Sequence, residues 1–219
     1  MLKIGFVGKM GSGKTELSQY FLEHFNGTRI AFADALKADI INYGFTPDGQ
    51  IVKSRDRGLL QAYGQFRRGE ISRVPLAEGS MLCNVDGYAV HRQDYSHGVQ
   101  MINMGKNYPN YWVDQAMTKA SQLGATSNII MDDIRRLNEA EALKSNNFTI
   151  IKIWASDETR KRRLIARDGK FDETLLNDIS ESEVDNIPYD AILDNNKDDE
   201  NGKNSLHQIV TKLLTLTTS

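Results

Sequence analysis

This 219-residue sequence has one cysteine, four prolines, no excess of basic charge and no long apolar run. A lone Cys83 cannot close an intrachain disulfide, so nothing points to an oxidising compartment. The N-terminal apolar stretch, residues 2–7, is broken by Lys3. It is far too short for a signal-peptide core or a membrane span, so a cytoplasmic protein without a membrane partner is expected. The 27 Lys+Arg against 29 Asp+Glu leave a net charge of −2, which argues against a polymeric nucleic-acid partner. His24, His91, His97 and His207 show no metal-ligand spacing, and there is no internal repeat or low-complexity tract. What remains is ordinary for a globular chain: 40% hydrophobic and 26% charged residues, enough to bury a core without staples.

Short β-prone runs alternate with helical periodicity. Strands are expected at 2–7, 28–33, 128–131, 148–154 and 191–193. Helices are expected at 15–25, 35–43, 139–144, 157–167 and 206–216. This alternation predicts an α/β fold with a mostly parallel central sheet flanked by helices. Two stretches break the pattern. Residues 78–110 carry four glycines and three tyrosines without helical period and read as an insertion, with Asp86-Gly87 as the turn of a small hairpin. Residues 172–200 hold eleven acidic residues against one lysine and read as a solvated helix and loop. The near-neutral total therefore hides a positive remainder.

Gly8-Lys9-Met10-Gly11-Ser12-Gly13-Lys14-Thr15 fits G-x-x-x-x-G-K-[ST], with a strand before it and a helix after it. Glycines let the backbone wrap so that successive N–H groups face phosphate oxygens, and the helix adds its positive end. Lys14 would reach the β and γ phosphates of ATP, and the Thr15 hydroxyl would hold Mg²⁺. Asp132 or Asp133, ending the expected 128–131 strand, is the acid to handle the metal. A helix-capping role remains open for one of the two.

Arginine placement points beyond nucleotide binding. Residues 53–73 contain six basic and two acidic residues, among them Arg55, Arg57, Arg67, Arg68 and Arg73. Arg160, Arg163 and Arg167, spaced by three and four, share one face of the 157–167 helix and suit a lid over a triphosphate.

On these residues the chain resembles the phage-type deoxynucleoside monophosphate kinases of the adenylate-kinase-like P-loop superfamily. The resemblance is carried by the P-loop, Phe32-Ala33-Asp34-Ala35-Leu36-Lys37, and Arg57-Gly58-Leu59-Leu60-Gln61 with Gly64 and Arg67-Arg68. It continues through Tyr111-Trp112-Val113, Asp133-Ile134-Arg135 with Asn138-Glu139-Ala140-Glu141, and Ser182-Glu183 with Asp190 and Asn195. It implies a three-layer P-loop domain over 1–219, with an acceptor-binding region at 34–115 that holds the 78–110 insertion and a lid-like segment at 157–172. ATP, with Mg²⁺ on Thr15 and Asp133, would bind Gly11, Ser12, Gly13, Lys14 and Thr15, covered by Arg160, Arg163 and Arg167. The acceptor monophosphate would meet Asp34, Lys37, Arg57, Gln61, Arg67, Arg68, Trp112, Arg135 and Glu139, with Trp112 equally readable as core. Lys14, Arg68, Asp133, Arg135 and Arg163 would carry the phosphoryl transfer. Asn195 and Lys197 fall where related kinases touch the donor adenine.

Gln65 stands where that family usually has Thr, and Arg136-Leu137 replace Phe-Pro. Base choice and ribose preference are therefore left open, and the insertion is a candidate for base selection or for a homodimer interface. Two other readings remain. One is a kinase of another small acceptor such as dephospho-coenzyme A, with Asp34 or Asp133 as base. The other is a nucleotide-dependent switch, which has no use for a second phosphate site. Small-molecule nucleotides are the expected partners, in the host cytoplasm if the chain is of phage origin.

Overall fold

The computed structural model describes residues 1–46, 48–123, 127–169 and 183–196. The expected helix at 206–216, Lys197, Ser182 and residues 170–182 of the lid-like and acidic segments lie outside the described residues. The chain divides into two compact units: Met1–Ala31 with the residues from Met117 onward, and Phe32–Ala116.

The first unit is built on a five-stranded sheet of order β2-β7-β1-β8-β9, in which every pair is parallel. Its strands are β1 (Lys3–Val7), β2 (Gly27–Ile30), β7 (Asn128–Ile134), β8 (Thr149–Trp154) and β9 (Ala191–Asp194). The central strands β1, β7 and β8 are largely apolar and buried because both faces are covered, while the outer strands β2 and β9 each bury one residue. On one face Ile4, Phe6, Ile130, Ile151, Ile153 and Leu193 pack with Leu17 and Phe21 of α1 (Lys14–Phe25). The other face is illustrated at Gly5, where a Cβ would come within 3.1 Å of Leu143 Cδ1 in α5 (Leu137–Ser145). Gly5 is thus the gap into which α5 settles. Each fully buried Ile, Leu or Phe contributes about 1.5–3 kcal/mol. The unit's last described α-helix is α6 (Asp157–Asp168), capped where Ser156 Oγ accepts from Thr159 N at 3.3 Å.

The second unit holds α2 (Phe32–Asn42), α3 (Lys53–Arg67), the start of α4 (Tyr111–Leu123) and an antiparallel sheet of order β3-β4-β5-β6. Its strands are β3 (Arg73–Pro75), β4 (Met81–Val85), β5 (Tyr88–Tyr95) and β6 (Gly98–Lys106). Leu36, Ile40, Tyr63, Phe66, Val74, Leu82, Ala89, Met104 and Trp112 form its core.

The expected strand at 28–33 stops at Ile30, and Phe32 and Ala33 open α2 instead. Phe32, Leu36 and Ile40 recur every four residues as the buried stripe of that helix, so packing of the stripe overrides the β-propensity of Phe32. The Asp86-Gly87 hairpin is present, with φ of 52° and 82° at the two turn positions and Gly87 N donating to Asn84 Oδ1 at 3.0 Å. The rest of the insertion is more ordered than a single hairpin, since β6 pairs with β5 through a second turn at Ser96-His97. Helix α4 has no counterpart among the expected elements, although Trp112, Val113, Ala116 and Ala120 are buried at helical spacing. No helix among the described residues is long and apolar enough to cross a membrane.

Candidate active site

In the first unit the chain leaves β1 at Val7, turns through residues 8–13 and enters α1 at Lys14. Sterics demand each motif glycine. A Cβ on Gly8 would overlap Ile153 O. Gly11 has φ of 79° and lies under Arg160, whose carbonyl oxygen would be 3.0 Å from a Cβ there. Gly13 has φ of 99°, and a Cβ on it would overlap Asn195 Nδ2. The loop is tied internally where Ser12 N donates to Lys9 O at 3.1 Å, and Leu17 N donates to Gly13 O at 3.2 Å as α1 begins. Lys14 Nζ reaches back across the loop to donate to Gly8 O and, at 3.1 Å, to Lys9 O. Ser12 is buried, and Thr15 sits in the first turn of α1.

Two elements brace this loop. Asn195, just past β9 and buried, donates its amide to Ser12 O at 2.8 Å, and its own N–H donates to Trp154 O at 2.7 Å. From α6, the buried Arg160 donates to Met10 O at 3.4 Å and pairs with Asp157 at 3.1 Å. Arg163 donates to Gly11 O at 3.4 Å. The expected arginine face therefore exists, and Arg160 on it holds the loop. Arg163 touches the loop from the half-buried side, and Arg167 is exposed one turn on. Asn195, expected at the donor adenine, is a loop brace. A further tie is Asp185, which pairs with Lys9 of the loop at 2.7 Å and Lys152 of β8 at 3.7 Å. Partial burial pushes its carboxyl up, but the two lysines bring it below its ordinary range.

A bulge separates the two acids in placement. β1 and β7 run in register from Lys3↔Ile129 to Gly5↔Met131, then Val7 faces Ile134, so β7 carries one extra residue at Asp132-Asp133. Asp132 turns inward, buried, and pairs with Arg29 of β2 at 2.7 and 3.0 Å. Asp133 is half-buried at the strand's carboxyl end, the end at which β1 enters the P-loop. Asp132 therefore has a structural role.

Beyond the bulge, Glu139 reaches back from the first turn of α5. One carboxylate oxygen accepts from Arg135 N at 2.8 Å and Arg136 N at 3.1 Å. That is half of a capping box. Burial pushes its carboxyl up to about 7. The two backbone donors oppose the shift, and the negative charge of Asp133 adds to it. Glu139, expected at the acceptor, is instead buried behind the backbone that carries Arg135.

The second unit redistributes the basic cluster. Arg55 is closed against Asp48 at 2.9 and 3.0 Å, Asp56 at 2.7 Å and the Gln50 carbonyl at 2.7 Å. Arg67 is the largest fully buried side chain of the unit, donating to Met104 O at 2.9 Å with its guanidinium 3.8 Å from the Tyr111 ring centroid. It is a core residue that joins α3 to β6 and α4. Trp112 is also core: its indole N–H donates to Gly64 O at 3.1 Å and its ring meets Tyr63 edge-on. Gly64 packs closely there, since a Cβ would come 3.0 Å from Leu36 Cδ1. Tyr63 and Tyr111 both donate to Asp39 at 3.2 Å, and burial raises both phenols. Of the expected acceptor residues, Arg57 and Gln61 are exposed one turn apart on α3. Lys37 lies 3.9 Å from Asp34 on α2, and Arg68 pairs with Glu70 at 2.7 and 3.1 Å at the end of α3.

Thr15 and Asp133 are hard oxygen donors suited to Mg²⁺, which keeps waters and phosphate oxygens in most of its coordination positions. No cluster of three metal-ligating side chains occurs among the described residues.

No family model matches the sequence. A dephospho-CoA kinase of Arabidopsis thaliana is 24% identical over 217 residues, covering 96% of this chain and 82% of that one. Among solved structures, a Thermus thermophilus protein aligns over 97% of both chains at 15% identity with a TM-score of 0.51. Shikimate kinase from Acinetobacter baumannii, solved with shikimate, aligns over 99% of this chain and 95% of its own at 11% identity, also with a TM-score of 0.51. The chain has a P-loop kinase fold.

Proposed function

We propose that this protein transfers the γ-phosphoryl group of ATP to the 5′-phosphate of a deoxynucleoside monophosphate, giving the diphosphate. The observation that carries the reading is the P-loop: three glycines that each exclude a Cβ, with Lys14 laid along the loop at the entrance to α1. The acceptor follows from the resemblance of the Arg57–Arg68 and Asp133–Glu141 runs. It is supported by the Glu139 bonds that fix the backbone of Arg135.

Each group has a definite part. Loop amides and Lys14 hold the β and γ phosphates, while Asp133 and Thr15 would bind Mg²⁺, which offsets charge on the phosphates. Arg163 and Arg135 serve the transferring group, and Lys37, Arg57 and Arg68 the acceptor phosphate. An acceptor phosphate oxygen is already anionic near neutral pH, so alignment and charge neutralisation suffice without a general base.

A second reading, a kinase of dephospho-coenzyme A, is favoured by the Arabidopsis relative, whose likeness extends over nearly the whole chain. Its hydroxyl acceptor would need a base, and Asp34 or Asp133 would have to serve. A coupled assay of ADP formation separates the two, with ATP, Mg²⁺ and a panel of ribo- and deoxyribonucleoside monophosphates and dephospho-coenzyme A. Saturable turnover with deoxynucleoside monophosphates supports the first reading. Turnover with dephospho-coenzyme A alone establishes the second.

A further inference from the structure

Arg29 is on β2, two strands away from the one that enters the P-loop, and its place follows from strand register. It lies opposite Ile130 of β7, and paired residues of parallel strands share a face of the sheet. Ile130 packs with Ile4, Phe6, Leu17 and Phe21, so this is the face that α1 covers. Asp132, two residues further along β7, returns to the same face. There Arg29 Nε donates to Asp132 Oδ2 at 3.0 Å, and Nη2 lies 2.7 Å from Oδ1. The Asp132 side chain is 3% exposed and the Arg29 side chain 40%. A guanidinium from the solvent side thus holds a buried carboxylate by both oxygens.

The residues that follow break the alternation. A Cβ on Gly5 would come 2.7 Å from Ile134 Cδ1 and 3.1 Å from Leu143 Cδ1, so Ile134 faces the α5 side. Asp132 and Ile134 therefore take opposite faces although they are two residues apart. The bulge makes this possible, and Asp133 is the residue left between them. In unbroken register Asp133 would stand opposite Val7 and turn to the α5 face with Met131. Instead it is half-buried at the end of the strand, beside the point where β1 gives way to the P-loop. A bulge re-aims a side chain, and what pins its neighbour decides which one.

We propose that Arg29 is a positioning residue for the donor site: by holding Asp132 on the α1 face it fixes the bulge, and so keeps Asp133 where it can serve Mg²⁺. Arg29 acts through Asp132 and the backbone alone. The two-point contact matters, because a guanidinium fork fixes the plane of a carboxylate while an ammonium supplies only a point charge. With Asp132 held at both oxygens, the peptide that carries Asp133 cannot slip back into regular register without breaking the pair. Without Arg29, a buried carboxylate is left unpaired, and relaxing the bulge is its way to water. The inference rests on the donor half of the proposed function, with Asp133 as the metal-handling acid, and is independent of the acceptor.

Calorimetry of ATP binding to the full chain, with Mg²⁺ and without it, tests this. The ratio of the two affinities is the metal's contribution, and it requires neither acceptor nor turnover. Asp133→Asn should shrink that ratio. Arg29→Met should shrink it about tenfold, the scale for losing a residue that orients a metal ligand, with affinity for metal-free ATP unchanged. Arg29→Lys, which keeps the charge but not the fork, should give a smaller loss. Added to Asp133→Asn, Arg29→Met should cost nothing further. Because Arg29→Met strands a buried charge, a chain that misfolds would lose the ratio too. Combining it with Asp132→Leu removes both charges, and that paired variant should regain the wild-type melting temperature yet keep the tenfold loss. A paired variant that recovers stability and ratio together overturns the proposal, since Arg29 would then act on stability alone. So does an Arg29→Met ratio equal to wild type while Asp133→Asn has lost it, a result that leaves the donor reading standing. A wild-type ratio in Asp133→Asn overturns both, because Asp133 would then hold no metal.

Discussion

The two units spend their arginines differently. In the first, Arg160 and Arg163 of α6 donate to carbonyls of residues 10 and 11, so positive side chains brace the turn between β1 and α1. In the second, Arg55 is closed by Asp48 and Asp56, and Arg67 lies in the core against Tyr111. Arg57 and Arg73 are exposed, while Arg68 is half-buried and paired with Glu70. A basic cluster in a sequence is therefore not one electrostatic object. Burial and local carboxylates divide it into structural and available members.

The sharpest way to break this contrast is at Lys14. Lys14→Ala should lower kcat/KM by about 10³-fold, the scale for losing a preorganised charge on the transferring group, while the melting temperature holds. Substantial residual activity would remove the P-loop from the donor role.

Next comes Arg67→Ala, expected to cost about 3 kcal/mol of stability in urea unfolding, because it leaves a cavity and an unpaired Met104 carbonyl. A neutral outcome would put Arg67 outside the core. Glu139 gives a pH signature. Its carboxyl is raised to about 7 in the folded state from an ordinary value of 4.5, so the folded protein holds this proton more tightly than the unfolded chain. Its contribution is therefore fully present below about pH 4.5 and is lost as pH rises through about 7. Glu139→Gln keeps an acceptor for the Arg135 and Arg136 amides but cannot ionise. It should remove about 2 kcal/mol of that pH dependence, read from urea midpoints at pH 5 and pH 8. The smallest effect is expected at Arg68→Ala, about a tenfold rise in acceptor KM with ATP KM and stability unchanged, since its partner Glu70 is near the surface. A rise confined to ATP KM would move that end of α3 to the donor side.

Much of the first unit was legible because its constraints are local. The P-loop spacing, the apolar strands and the helical stripes each involve contiguous residues, and they hold within a few positions. The different settings of Asp132 and Asp133 were not legible, because they are set by a bulge against β1 and by Arg29 on another strand. The same holds for Asn195, whose contact with Ser12 spans the chain. In the second unit Phe32 and Ala33 looked strand-like until the Phe32–Leu36–Ile40 stripe was packed. Trp112 and Arg67 carried motif resemblance but took core positions, which a sequence run does not distinguish from a ligand contact. Strand β6 escaped notice because the adjacent apolar Met101 and Ile102 break the alternation that marks a half-buried strand.

The central claim concerns where the γ-phosphoryl group goes, and phosphorus NMR follows it directly. With ATP, Mg²⁺ and an equimolar mixture of deoxynucleoside monophosphates and dephospho-coenzyme A, the account predicts resonances of a deoxynucleoside diphosphate growing in step with ADP, absent with Lys14→Ala. Phosphate appearing on dephospho-coenzyme A alone, or as free inorganic phosphate with no new diphosphate, would contradict it.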